Sequence, residues 1–130
     1  MQRIALILIS LWLAGCTAAG QTAKKLTDVR SISRGMSKQE VAAILGTQVI
    51  VGYELADAKT GIFKPITLPN PHRIQTITKN NRTYDIAFYL TEVRQADELV
   101  SDDELTPFVF EQDKVVGQGW PFVNKILREK

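Results

Sequence analysis

The chain has 130 residues, with 16 Lys+Arg, 14 Asp+Glu, one His and one Cys. At 45% apolar and 23% charged it has the balance of a soluble globular protein, which excludes a wholly disordered chain, a coiled coil, a collagen-like repeat and a polytopic membrane protein. A net charge of +2 gives no electrostatic footprint for nucleic acid, and one Cys excludes a disulfide framework within the chain or a Cys-based zinc cluster.

The N-terminus places one positive charge, Arg3, before an apolar run from Ile4 to Leu13, and small residues follow. That is the order of an export signal. The run falls well short of the ~20 residues that span a bilayer as a helix, so a permanent transmembrane anchor is not expected. It ends in Leu13-Ala14-Gly15-Cys16, which resembles the lipobox of bacterial lipoproteins. The resemblance implies a diacylglyceryl group on the Cys16 thiol and cleavage just before it. The alternatives are an ordinary secretory signal with a coincidental Cys, or a buried apolar helix. An odd Cys in an exported protein asks for an explanation, and thioether formation supplies one. Thr17, where inner-membrane lipoproteins commonly carry Asp, implies the periplasmic face of the outer membrane. In a Gram-positive cell the same motif implies the outer face of the plasma membrane.

The expected organisation is a signal over 1–15, a lipidated Cys and flexible tether over 16–27, and one α+β domain over 28–130. Residues 17–27 (TAAGQTAKKLT) are small and polar without apolar periodicity. As a flexible chain they span on the order of 18 Å. Lys24 and Lys25 either meet anionic head groups or are simply solvated.

The clearest local signal lies in residues 32–46. Ser37 and Glu40 have the S-x-x-E spacing of a capping box. Val41, Ile44 and Leu45 form one apolar face, Met36 is placed to staple onto Val41, and Gly46 is placed to end the helix. A strand is expected from Gln48 to Leu55, with Val49, Val51, Tyr53 and Leu55 on one face. Residues 56–71 hold Gly61, Pro65, Pro69 and Pro71, which favours an irregular excursion. Arg73–Lys79 and Arg82–Val93 flank a hairpin turn at Asn80-Asn81. Tyr84, Ile86, Phe88 and Leu90 form its core face, and Asp85, Ala87, Tyr89 and Thr91 a wetter one. Pro107–Glu111 and Lys114–Gly119 flank a second turn at Gln112-Asp113, with a bend or bulge at Gly117-Gln118-Gly119. Pro121 suits the first turn of a short C-terminal helix striped by Phe122, Val123, Ile126 and Leu127. The sum is α+β: a short N-terminal helix packed on a four- to five-stranded antiparallel sheet, with a short C-terminal helix.

A lipobox, a polar tether and a helix carrying Gly35, Met36, Ser37, Glu40, Val41, Leu45 and Gly46 resemble the SmpA/OmlA (BamE-like) group of small outer-membrane lipoproteins. The resemblance implies helices on one face of a small antiparallel sheet and an accessory role in an outer-membrane assembly complex. The fold implied is also similar to that of the β-lactamase-inhibitor proteins. The segments 56–71 and 93–105 are longer than the family pattern.

Catalytic chemistry finds little to work with. His72 is the one available base for a nucleophile, and no G-x-S-x-G accompanies it. One His and no spare Cys argue against a transition-metal site. Glu92, Asp97, Glu98, Asp102, Asp103 and Glu104 form an acidic run without EF-hand spacing. It is read as a solvated loop in which Ser101 to Glu104 cap one helical turn, or as an acidic contact surface. Phe63 and Trp120 are the candidate partner-binding aromatics, with local packing as the alternative for each.

The expected function is a non-enzymatic, lipid-anchored envelope protein that docks on an outer-membrane or periplasmic complex. No cofactor, metal, nucleic acid or small-molecule substrate is expected. The alternative is a tethered inhibitor or immunity-type protein that blocks a periplasmic enzyme through 56–71 and 93–105.

Overall fold

The computed structural model describes residues 24–25 and 29–129. The expected signal over 1–15, Cys16 and most of the tether lie outside the described residues. The elements run β1 (Lys24–Lys25), a 3-10 turn (Val29–Ser31), α1 (Lys38–Leu45), β2 (Gln48–Asp57), β3 (Ile62–Pro69), β4 (Arg73–Lys79), β5 (Arg82–Leu90), β6 (Glu92–Val93), a 3-10 turn (Asp102–Glu104), β7 (Leu105–Glu111), β8 (Lys114–Gln118) and α2 (Trp120–Arg128).

Helix α1 starts where its capping box directs. The Glu40 N–H donates to Ser37 Oγ at 3.1 Å, and the Ser37 N–H donates back to the Glu40 carboxylate at 2.7 Å. The Ser37 backbone N–H first, and the Ser37 hydroxyl second, hold the Glu40 carboxyl below its ordinary range. Gly46 ends the helix at φ 80, where its N–H donates to the Ala42 carbonyl. Val41 and Leu45 are buried, while Ile44 sits at the margin of the contact. Met36 packs against the cluster that holds Val41.

The central sheet has the antiparallel order β4-β5-β7-β8. Both of its expected tight turns form. Asn80 and Asn81 have φ of 50 and 60, and Gln112 and Asp113 have 48 and 65. Two successive left-handed residues give the twist that a two-residue hairpin needs. One face carries Tyr84, Ile86, Phe88, Leu90, Leu105 and Val109, covered by Val123 and Ile126 of α2 and by Val49, Val51, Ile66 and Leu68. The other carries Ala87, Tyr89, Phe108, Phe110 and Val115, covered by Ile32, Val41 and Leu45.

The second face corrects an expectation. Alternation alone puts Ala87, Tyr89 and Thr91 on a wetter face, yet all three are buried. Period-two alternation reports which residues share a face, and the alanine and tyrosine here face α1 rather than water. Burial pushes the Tyr89 phenol up. Of the four residues expected there, only Asp85 stays part-exposed, where it accepts from Lys38 Nζ and, at 2.7 Å, from Thr76 Oγ1. Those bonds, Lys38 first, hold its carboxyl low.

Strand β8 shifts register between Val109↔Gly117 and Phe110↔Val115, which leaves Val116 as a bulge beside the expected bend. Gly117 faces Phe122 so closely that an added Cβ would lie 2.4 Å from the ring. Gly117→Ala must push Phe122 off its seat, and overpacking of this kind costs about 1–3 kcal/mol. Urea unfolding should show a lower midpoint with an unchanged slope.

Two more expectations change. Residues 56–71 are not an irregular excursion: β3 pairs with β2 from Gln48↔Pro69 to Asp57↔Ile62. The prolines fit because the pair forms its own two-stranded sheet, so outward backbone groups need no ladder partner. Within the expected flexible tether, Lys24 and Lys25 pair with Val93 and Glu92.

Candidate docking surface

The β2–β3 ribbon exposes a row of large apolar side chains. Its root packs on the sheet through Val49, Val51, Ile66 and Leu68. Beyond the root, register decides what faces outward. Ile50 pairs with Thr67 and Gly52 with Ile66, so Val51 is a bulged extra residue. One inserted residue moves everything after it to the opposite face. Tyr53 and Leu55, expected to continue the inward row of Val49 and Val51, are turned outward instead, to 64% and 51% exposure. Leu55 pairs with Phe63, itself 63% exposed, and Tyr53 with Pro65. Residues directly opposite in an antiparallel pair share a face. Ile50 lies on the same face and is also exposed. Glu54 and Lys64 pair with each other on the inner face, 2.7 Å apart.

The two edges of the central sheet differ. The outer edge of β8 is covered by the segment before α1: the Gly35 N–H donates to the Val115 carbonyl, the Val115 N–H donates to that of Met36, and Ser37 bridges Lys114. Among the described residues no strand pairs with the outer edge of β4. That strand keeps an unbroken register against β5 and contains no proline. Its Ile74 is 64% exposed.

Phe63 and Trp120 therefore part company. Phe63 stands exposed on the ribbon. Trp120 is half-buried against Phe88, with ring centroids 5.4 Å apart, and its Nε1–H donates to the Leu105 carbonyl at 3.0 Å and the Asp102 carbonyl at 3.2 Å. The Arg73 guanidinium lies 4.3 Å from the Phe88 ring and pairs with Asp102 at 3.0 Å. Trp120 thus helps to build a corner beside the open end of β4.

The acidic run is organised by its last member. Glu104 is buried, and its carboxylate accepts from the Arg94 N–H at 2.8 Å and from both the N–H and the hydroxyl of Ser101 at 2.9 Å. Burial pushes its carboxyl up, and these hydrogen bonds outweigh that and leave it below its ordinary range. Asp103 is held low by the Ser101 hydroxyl and by the nearby Arg94 guanidinium, 3.1 Å away. The capped helical turn expected over 101–104 is present. Among the described residues no group of three or more His, Cys, Asp and Glu side chains is placed to hold a metal ion. His72 follows a cis Asn70–Pro71 bond. Its Nδ1 is buried without a hydrogen-bond partner, and its backbone N–H donates to the Phe88 carbonyl. Among the described residues no helix is long and apolar enough to cross a membrane.

The chain matches no protein-family model, no curated protein and no solved structure.

Sequence reasoning missed three features of these surfaces. Ile74 read as one member of an alternating strand, with nothing local to say that its strand is an edge. The outward turn of Tyr53 and Leu55 depends on a bulge at Val51, for which the adjacent strand-interior Gly52 was the available signal. The S-x-x-E spacing of Ser101 and Glu104 gives the capped turn, but nothing in it says that the Glu104 carboxylate is buried.

Proposed function

We propose that this chain is a non-enzymatic protein of the bacterial cell envelope, held by a lipid on Cys16 to the outer membrane with its domain facing the periplasm. There it docks as an accessory on an envelope protein complex, as its resemblance to the SmpA/OmlA (BamE-like) lipoproteins suggests. The address is supported by Leu13-Ala14-Gly15-Cys16 at the end of a short apolar run. The observation that carries docking is the unequal treatment of the sheet edges, with β8 covered and β4 left open beside the Arg73–Phe88–Trp120 corner. An exposed, regular edge is a template for another strand, and folded proteins commonly blunt or cover such edges. A partner strand added to β4 would gain main-chain hydrogen bonds and seat a side chain beside Ile74. The lipid raises the local concentration of any membrane-bound partner.

A photoreactive amino acid at Ile74 tests this in native membranes. One membrane protein should be trapped, and it should copurify after mild detergent extraction. Ile74→Asp, at a position the fold leaves exposed, should weaken that recovery. Trapping of one soluble periplasmic enzyme, retained without the lipid, would favour the inhibitor role instead.

A further inference from the structure

The outer face of the ribbon is apolar along its length. Ile50, Tyr53, Leu55, Phe63 and Pro65 share it with Thr67, and none of them is charged. The charged pair Glu54–Lys64 is on the opposite face, with the exposed Ile62 near the ribbon's tip. The six residues from Ile50 to Leu55 cover on the order of 17 Å. A two-stranded ribbon is marginal in water by itself, and a contiguous exposed apolar face marks a surface that is covered in use.

The position of the anchor argues for the occupant. Strand β1 pairs with β6, and three residues beyond β6 lies Ala96. A Cβ added to Gly52 of the ribbon would lie 2.8 Å from the Ala96 side chain. The tether is thus fastened beside the ribbon. From Cys16 to Lys24 is a stretch of eight residues, which reaches at most about 28 Å. A lipid on Cys16 therefore keeps a bilayer within reach of the ribbon at all times.

We infer that the outer face of the β2–β3 ribbon rests in the interfacial layer of the membrane that holds the lipid. The inference depends on the Cys16 anchor proposed above. An amphipathic element with an apolar face and a charged back lies in the plane of the interface. Tyr53 suits that depth, since its ring is apolar and its hydroxyl polar. With lipid and ribbon both on the membrane, the domain is held in one orientation. The turns at Asn80-Asn81 and Gln112-Asp113 then point away, because β5 carries the chain on the order of 30 Å from the first turn to β6.

The test uses the full, processed, lipidated protein in vesicles of phosphatidylethanolamine and phosphatidylglycerol that carry a nitroxide-labelled lipid. Once the Cys16 sulfur is a thioether, a single introduced thiol takes a bimane label. Phe63→Cys and Tyr53→Cys report the ribbon face, and Asp113→Cys the far end of the sheet. The bimane at 63 and 53 should shift to the blue and be quenched by the nitroxide, and that at 113 should not. If protein that floats with the vesicles and carries the acyl mass on Cys16 leaves 63 and 53 as unquenched as 113, the ribbon inference is overturned and the anchor stands. If the acyl mass and flotation are both absent, the anchor reading fails and the inference falls with it. Burial of the label at 63 only in native membranes, with crosslinks to a protein, would also overturn it.

Discussion

Asn70→Ala should lower the melting temperature by roughly 10–20 °C for a domain of this size. Asn70 is 3% exposed and ties three elements together. Its Oδ1 accepts from the Leu90 N–H at 2.8 Å, and its Nδ2 donates to the Leu45 carbonyl at 3.2 Å and the Leu90 carbonyl at 3.5 Å. Its own N–H donates to the Thr47 carbonyl at 2.9 Å. The end of α1, the exit from β3 and the end of β5 thus meet on one amide. Alanine leaves buried backbone groups without partners, and each such group costs about 1–3 kcal/mol. Asn70→Asp keeps the acceptor but turns the donor side into a buried carboxylate facing two carbonyls, so it should be no better than alanine. Differential scanning calorimetry of the three proteins checks the ranking. Equal melting temperatures would show that this amide is not the joint described.

Glu104→Ala should be nearly as damaging, and Glu104→Gln should show why. Alanine removes the acceptor for the Arg94 N–H, the Ser101 N–H and the Ser101 hydroxyl. Hydrogen bonds to a charged group contribute about 1.5–3 kcal/mol each, and their losses are not additive within one network. A loss of about 2–4 kcal/mol follows. The pH dependence has a defined sign. The carboxyl is below its ordinary value of 4.5 in the folded chain. The folded state therefore binds this proton less readily than the unfolded state. The stabilisation is present in full above pH 4.5, and is lost as the pH falls through the lower folded value. Asp85 and Glu40, also held low, act in the same direction. Glu104→Gln should flatten the acid limb of the stability curve and lower the plateau near neutral pH. A variant that keeps the wild-type acid limb would contradict the assignment.

What the sequence revealed and what it hid follow one rule. Local chemistry was legible. Ser37 and Glu40 three apart, Gly46 after Leu45, Asn80-Asn81 between alternating runs, and Pro121 at a helix start each act through neighbours in the chain, and each appears where expected. Features that depend on distant neighbours were not legible. Nothing near Tyr89 says that α1 will cover it. Nothing near Ile74 says that its strand will be last in the sheet. The prolines of β3 were read against a strand, because whether a ribbon has a neighbour on its outer edges is a matter of topology. Phe63 is expected in an irregular loop, but its setting is a paired strand. The bulge at Val51, beside Gly52, is what builds the apolar face around it.

Mass analysis of the mature N-terminus, taken from protein isolated from its own membranes, tests the central claim most directly. The account predicts a chain that begins at Cys16 and carries a diacylglyceryl group on sulfur, and predicts that Cys16→Ala abolishes both acylation and cleavage. A mature chain that begins at any other residue, or a Cys16 with a free thiol, would contradict the anchor and with it the proposed place of the protein in the envelope.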